Sequence, residues 1–207
     1  DKKGEPSGSF QEGAVKLIVD KLPPPSDKAR EQALGYARDY FNSNGIVGWH
    51  DALVPIGGGE AGQSIPPGVP ETYATMAKNG TLKGHVRLAL AWDAKRGVEQ
   101  VADLIAAADK LAAAGVSAKS VKFLLDGVPA QRTAALIQPY SDMPGFKGDL
   151  HIEPAVLKDA VTRLDDGRLG RPLGRRHACG LLQEPADRDR VRRVVRPLVD
   201  DLEHVLG

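Results

Sequence analysis

Three times along this chain an amphipathic helical stretch stops at a glycine and gives way to a short apolar run, and that alternation restricts the fold more than any other feature. Ser26 is a good N-cap for a helix from Asp27 to Asn44, with Ala29, Ala33, Leu34, Ala37, Tyr40 and Phe41 at helical spacing and Gly45 as its C′ stop. Ile46 to His50 follows as a short buried strand. Val54 to Gly68 holds five glycines and three prolines and reads as a long irregular loop. Pro70 opens a second helix to Lys78, closed by Gly80, and His85 to Trp92 is the second strand. Val98 to Ala114 is an alanine-rich helix with Val98, Val101, Leu104, Ile105, Ala108 and Leu111 on one face, closed by Gly115. Ser120 to Leu125 is the third strand, Asp126 to Ile152 a second long loop, and Pro154 starts a helix to Leu164.

Helices alternating with short apolar strands are the pattern of βα repeats around a parallel sheet, so the expected class is α/β. Long loops follow the carboxyl ends of the first and third strands, which is where a (β/α)8 barrel carries its chemistry. A full barrel needs about 250 residues and eight strands. With 207 residues and three clear strands, the chain reads as a partial (β/α)8 barrel.

Composition removes several function classes. Apolar residues at 42% can build a core, and a net charge of +1 gives no reason to expect a nucleic-acid or acidic-membrane partner. Cys179 is the sole cysteine, which excludes an internal disulfide and a Cys-only zinc site. No apolar run is long enough to span a membrane and no signal-peptide pattern is visible, so a cytoplasmic location is expected, although the chain starts at Asp1. The last quarter differs in kind: ten of the fifteen arginines fall from Arg163 onward, and no lysine follows Lys158. The chain therefore divides into a barrel segment, 1–164, and an atypical Arg-rich tail, 165–207. Within the tail Val191 to Arg196 is a basic run, but no aromatic follows Phe146 to stack on bases.

Few residues invite chemistry. Lys122 lies inside an apolar strand near its carboxyl end, where an ammonium is costly unless paired, solvated or modified. It is either a strand-edge lysine facing solvent or a metal-bridging or catalytic one. Asp126-Gly127 adds a carboxylate and a turn glycine at the same end, suited to orienting a ligand and equally suited to a plain turn. His50-Asp51 ends the first strand in the matching position, as a ligand or as a hydrogen-bonded structural pair. His85 begins its strand and so belongs to the opposite end, while His151 and His204 take no role. His177-Ala178-Cys179 lacks metal-site spacing. Gly57-Gly58-Gly59 is not followed by a phosphate-loop lysine, and Gly-x-Ser-x-Gly is absent.

Taken in order, several stretches resemble the middle of amidohydrolase family 3, the YtcJ-like metal-dependent hydrolases that include N-substituted formamide deformylases. They are Gly4-Glu5-Pro6-Ser7-Gly8, Glu12-Gly13-Ala14, Gly45 to Ala52, Gly80 to Arg87, Val121 to Gly127, Arg132-Thr133-Ala134, Pro139-Tyr140-Ser141-Asp142, and Gly148 with Leu150. The resemblance covers Asp1 to Leu164. It implies a (β/α)8 barrel and a divalent metal, usually zinc, that activates water against a C–N bond in a small amide-type substrate. Carried over, Lys122 matches the strand lysine that bridges two metals as a carbamate, and Asp126 and Gly127 the turn after it. His50, Trp92, Asp126 and Arg132 would line the substrate pocket.

The departures are informative. The family's His-x-His pair is not found, and the chain is expected to begin beyond it. Where the family has His-Ala-x-Gly-Asp, this chain has His177-Ala178-Cys179-Gly180 followed by Leu181, so His177 is the one match to a strand-five metal ligand. A change of reading frame near Gly167 would account for both the arginine switch and the lost aspartate. The expected function is a metal-dependent amidohydrolase acting on non-peptide C–N bonds, incomplete in this chain, with Lys122 pointing to the barrel interior near Asp126. The alternative is a non-catalytic fragment or subunit that acts by association through its open sheet edges.

Overall fold

A computed structural model describes residues 5, 8, 10, 12–57, 65 and 67–169. Its centre is a three-stranded sheet of β1 (Gly48–Val54), β2 (His85–Ala91) and β3 (Ser117–Lys122), in the order β1-β2-β3 and parallel throughout. Five helices accompany it: α1 (Lys16–Val19), α2 (Asp27–Ser43), α3 (Val69–Lys78), α4 (Val101–Ala113) and α5 (Pro154–Leu169). The class is α/β, and each step between neighbouring strands is a crossover through a helix. No helix among the described residues is long and apolar enough to cross a membrane.

Three helices end alike. Gly45, Gly80 and Gly115, equally spaced along the chain, all have positive φ. At each, the glycine N–H and the next N–H turn back onto the last helical turn: Ile46 to Phe41, Thr81 to Met76 and Val116 to Leu111, the last at 2.9 Å. This is the Schellman arrangement, in which a left-handed residue satisfies carbonyls that the helix end leaves free. It also moves β1. Ile46 spends its N–H on the cap and is exposed with Val47, so the strand runs Gly48–Val54 rather than Ile46–His50. β3 is displaced the other way, to Ser117–Lys122 instead of Ser120–Leu125, because β2 ends at Ala91 opposite Lys122. Beyond that point Phe123 packs on Trp92, ring centroids 4.9 Å apart.

α4 begins at Val101, later than the apolar spacing predicts, because Gly97 at φ 57 kinks the segment before it. The buried side chain of Gln100 holds both backbone groups of Asp93: its amide oxygen accepts from the Asp93 N–H at 2.9 Å and its amide nitrogen donates to the Asp93 carbonyl at 2.6 Å. The last helix, predicted to stop at Leu164, continues to Leu169 and so runs across the boundary proposed between 164 and 165.

The core lies between the sheet and α3, α4 and α5, built from Leu88, Leu90, Val54 and Val121 of the strands with Tyr73, Met76, Leu104, Leu111 and Leu157 of the helices. α2 has no buried residue. It is held to the rest by Phe41 against Trp49, centroids 5.2 Å apart, and by the Arg38 guanidinium on the Thr81 carbonyl.

Candidate functional site

Register assigns each strand residue to a face, since partners across a parallel pair point the same way. Trp49, Asp51, Val86, Leu88, Leu90 and Val121 face the helices. His50, Arg87 and Ser117 form one row on the second face, and Ala89 with Ser120, then Ala91 with Lys122, continue it toward the carboxyl ends. Both outer strands carry one extra residue against β2, between Asp51 and Val54 on one side and between Ser117 and Ser120 on the other. Such bulges at a common level bend and twist a sheet.

Lys122 is half-buried on the second face, level with Ala91, which is 3% exposed, and its carbonyl accepts the Trp92 N–H at 2.9 Å. Asp126, further along, accepts from the Ala135 N–H at 3.0 Å and thereby starts a closed loop. In that loop Gly127 donates to the Thr133 carbonyl, Tyr140 Oη to the Ala134 carbonyl, and His151 back to Leu125 at 2.7 Å. Gly148 packs its backbone against Ala134 at φ 76, where a Cβ would overlap the Ala134 oxygen. Arg132, itself left-handed at φ 59, donates from Nε to Asp142 at 2.9 Å. That hydrogen bond holds the Asp142 carboxyl below the usual range and raises Arg132.

Two predicted pocket residues lie elsewhere. Trp92 is not at a pocket mouth: it is 2% exposed within the helix-side core, its indole N–H without a partner among the described residues. His50 is mid-strand rather than at the carboxyl end, because β1 continues four residues past it to Val54, and it is exposed. His177, and with it the tail from 170 on, lies outside the described residues. The loop after β1 is described only in part.

Tyr73 is a residue that composition and spacing did not single out. Its hydroxyl donates to Asp51 Oδ2 at 3.1 Å and accepts from Trp49 Nε1 at 3.4 Å, tying β1 to α3. Burial, first, pushes its phenol well above the ordinary value, and the nearby Asp51 charge adds to the shift. The one available signal was its place on the apolar stripe of α3 with Met76. Arg87 carried the same signal as Lys122, a cation inside an apolar strand, and lies exposed at the other end of the sheet. There a groove of about 720 Å³ opens between the amino-terminal ends of the strands.

No group of three or more His, Cys, Asp or Glu side chains among the described residues could hold a metal ion. Lys122 and Asp126 thus do not constitute a metal site by themselves.

No protein-family model matches the chain. Among curated proteins it is 28% identical over 181 residues to "Putative amidohydrolase YtcJ" of Bacillus subtilis (strain 168), covering 87% of this chain and 30% of that protein. Among solved structures it is similar to an uncharacterized metal-dependent hydrolase from Pyrococcus horikoshii OT3, at 18% identity and TM-score 0.52 over 78% of this chain and 32% of that one. A second, from Pyrococcus furiosus, matches at 19% identity and TM-score 0.51 over 79% of this chain and 34% of that one. The chain therefore spans a minority of each relative's length. At these identities the structures share the fold, while the sequence relationship over most of the chain supports an amidohydrolase-like family.

Proposed function

We propose that this chain forms three consecutive βα units of a (β/α)8 barrel belonging to a metal-dependent amidohydrolase that cleaves a non-peptide C–N bond in a small amide-type substrate. The observation that carries the reading is the relationship to the Bacillus amidohydrolase, which extends over 181 residues, 87% of the chain. Paired bulges at one level of the sheet agree with the curvature a barrel requires. Lys122, half-buried beside Ala91 on the face away from the helices, has the position expected of an interior residue at the barrel mouth. Zinc is the metal expected by resemblance. The described residues do not by themselves provide three or more His, Cys, Asp or Glu side chains grouped to hold it. Cytoplasmic location and the absence of nucleic-acid and membrane partners belong to the same reading.

Metal analysis and an N-acyl substrate panel, run on this chain and on the full-length Bacillus relative, test it. The relative is expected to retain metal and hydrolyse an amide, with both lost when its counterpart of Lys122 is replaced by Ala. The chain alone should hold no stoichiometric zinc and hydrolyse nothing. A relative inert toward every amide, or stoichiometric zinc held tightly by the chain alone, would overturn the proposal.

A second reading has its own observation. β1 and β3 each pair with β2 alone among the described residues, so each leaves one edge free for another strand. The chain then acts by association, with itself or another subunit. Size-exclusion chromatography with light scattering decides: a monomer that melts cooperatively counts against association.

A further inference from the structure

The turn that follows β2 is held by one side chain. Gln100 is 1% exposed, and both polar atoms of its amide are spent on backbone. Its oxygen accepts from the Asp93 N–H, and its nitrogen donates to the carbonyls of Asp93 and Gly97, the latter at 2.8 Å. Gly97 can aim its carbonyl there because its backbone, at φ 57 and ψ −152, has a conformation that side chains rarely allow. Asp93 adds a bond of its own, its carboxylate accepting from the Lys95 N–H at 2.9 Å. The chain is thereby closed on the residue next to Trp92.

Trp92 carries the constraint to β3. Its N–H donates to the Lys122 carbonyl at 2.9 Å, and its ring packs on Phe123 with centroids 4.9 Å apart. Lys122 is therefore fixed twice, its carbonyl by the Trp92 backbone and the residue after it by the Trp92 ring. Successive residues of an extended chain point to opposite faces, so a Phe123 ring held against the helix-side core sets the Lys122 side chain on the other face. Gln100, Asp93 and Trp92 are all buried, so the linkage does not depend on what covers the rest of the sheet.

We propose that Gln100 is a positioning residue: through the backbone of Asp93 and Trp92 it fixes the level and facing of Lys122 at the carboxyl end of the sheet. The chemical importance of that placement rests on the hydrolase reading, which puts Lys122 at the barrel mouth. The partners dictate the residue type. Asp93 presents a donor and an acceptor together, and an amide answers both. A carboxylate would accept from the N–H but face two carbonyl oxygens, and an apolar side chain would leave a buried N–H without a partner.

The test is NMR on the isotope-labelled 207-residue chain. A scalar coupling across the hydrogen bond from the Trp92 N–H to the Lys122 carbonyl is expected in the parent. Gln100→Met should abolish it, quicken Trp92 amide exchange about tenfold or more and shift the Lys122 side-chain resonances, while Leu104 within α4 keeps its protection. Gln32→Met, at an exposed position on α2, should change none of these. Gln100→Glu serves where Gln100→Met does not fold: its coupling should be absent near pH ~8 and return near pH ~5, since burial raises the carboxyl and the protonated acid again has a donor beside its acceptor. An unchanged coupling or Lys122 shift in folded Gln100→Met, or a Gln100→Glu coupling indifferent to pH, would overturn the proposal. So would exchange that quickens at Leu88 and Leu104 as much as at Trp92, since Gln100 would then stabilise the fold generally. No readout requires hydrolysis: an inert Bacillus relative would end the hydrolase reading and leave the linkage standing, and an unmoved Lys122 would do the reverse.

Discussion

The two halves of β2 obey different rules. From His85 to Arg87 exposed and buried residues alternate, whereas Leu88, Ala89, Leu90 and Ala91 are buried on both faces, none more than 3% exposed. The amino half is the strand of a sheet with one wet side, and the carboxyl half is the strand of a sheet covered on both. The bulges in β1 and β3 fall where one behaviour changes to the other. One strand thus divides the described sheet into an exposed end, at His85 and Arg87, and a closed end, where Lys122 sits. The hydrolase reading rests on the closed end, where Lys122 lies level with Ala91.

The largest effect should come from removing the centre of the helix-side core. Leu88 is 0% exposed, so Leu88→Ala should cost about 2–5 kcal/mol in chemical denaturation, through lost burial and the cavity left behind. A loss under about 1 kcal/mol would mean that the core collapses around the site. The contrast between the halves is tested directly by placing the same side chain on the second face at each level. Ala89→Leu should destabilise by about 1–3 kcal/mol, because that position has no room left. Arg87→Leu, at the exposed end, should stay within about 0.5 kcal/mol of the parent. Equal costs at the two positions would erase the distinction.

Tyr73 ranks next. Tyr73→Phe leaves Asp51 without the hydroxyl that it accepts from and Trp49 without an acceptor, an expected cost of about 1–2 kcal/mol. It should also change the alkaline limb of the stability curve. Burial raises the phenol's ionisation in the folded state, so the unfolded chain gives up this proton first, near its ordinary value of about 10. The contribution is complete below that pH and is lost as pH rises toward the folded value. Tyr73→Phe should flatten the fall above pH ~10, and an unchanged limb would show that other groups set it.

Helix ends were legible in the sequence because their causes are local. Ser26 accepts from the Ala29 N–H at 3.2 Å as a cap should, and Gly45, Gly80 and Gly115 stop their helices where the pattern puts them. Strand limits were not, since they depend on partners far along the chain: Ile46 looks like strand and is consumed by a cap, and Leu124 looks like strand but has no partner once β2 has ended. The same reason separates the candidate residues. Lys122 announces itself as a cation in an apolar strand, but nothing in the sequence says that Trp92 turns to the helices or that Tyr73 reaches Asp51. The bulges in β1 and β3 leave no mark in composition at all.

The smallest effect is expected at the Arg132–Asp142 pair, which closes the loop beyond the buried end of the sheet. Both side chains are about half-exposed, 49% and 53%, so water and salt screen the attraction and the global unfolding midpoint should hardly move in Arg132→Ala. The local consequence is separate. Leu136 donates to Lys147 at 2.7 Å and Tyr140 to Phe146 at 3.0 Å, and the ion pair spans the turn between those bonds and the Asp126 anchor. Amide exchange at Leu136 and Tyr140 should therefore quicken in Arg132→Ala and in Asp142→Asn alike, while His151, bonded to Leu125 at the loop's base, keeps its rate. Because Arg132 lowers the Asp142 ionisation, the clasp is fully present above the carboxyl's ordinary value of about 3.9 and is lost as pH falls through the lower folded value. High salt should reproduce the exchange pattern of the variants without adding to it. If salt and both substitutions leave Leu136 and Tyr140 unchanged, the loop is held by Asp126 and the Gly148–Ala134 contact alone, and Arg132 is left free to meet a ligand.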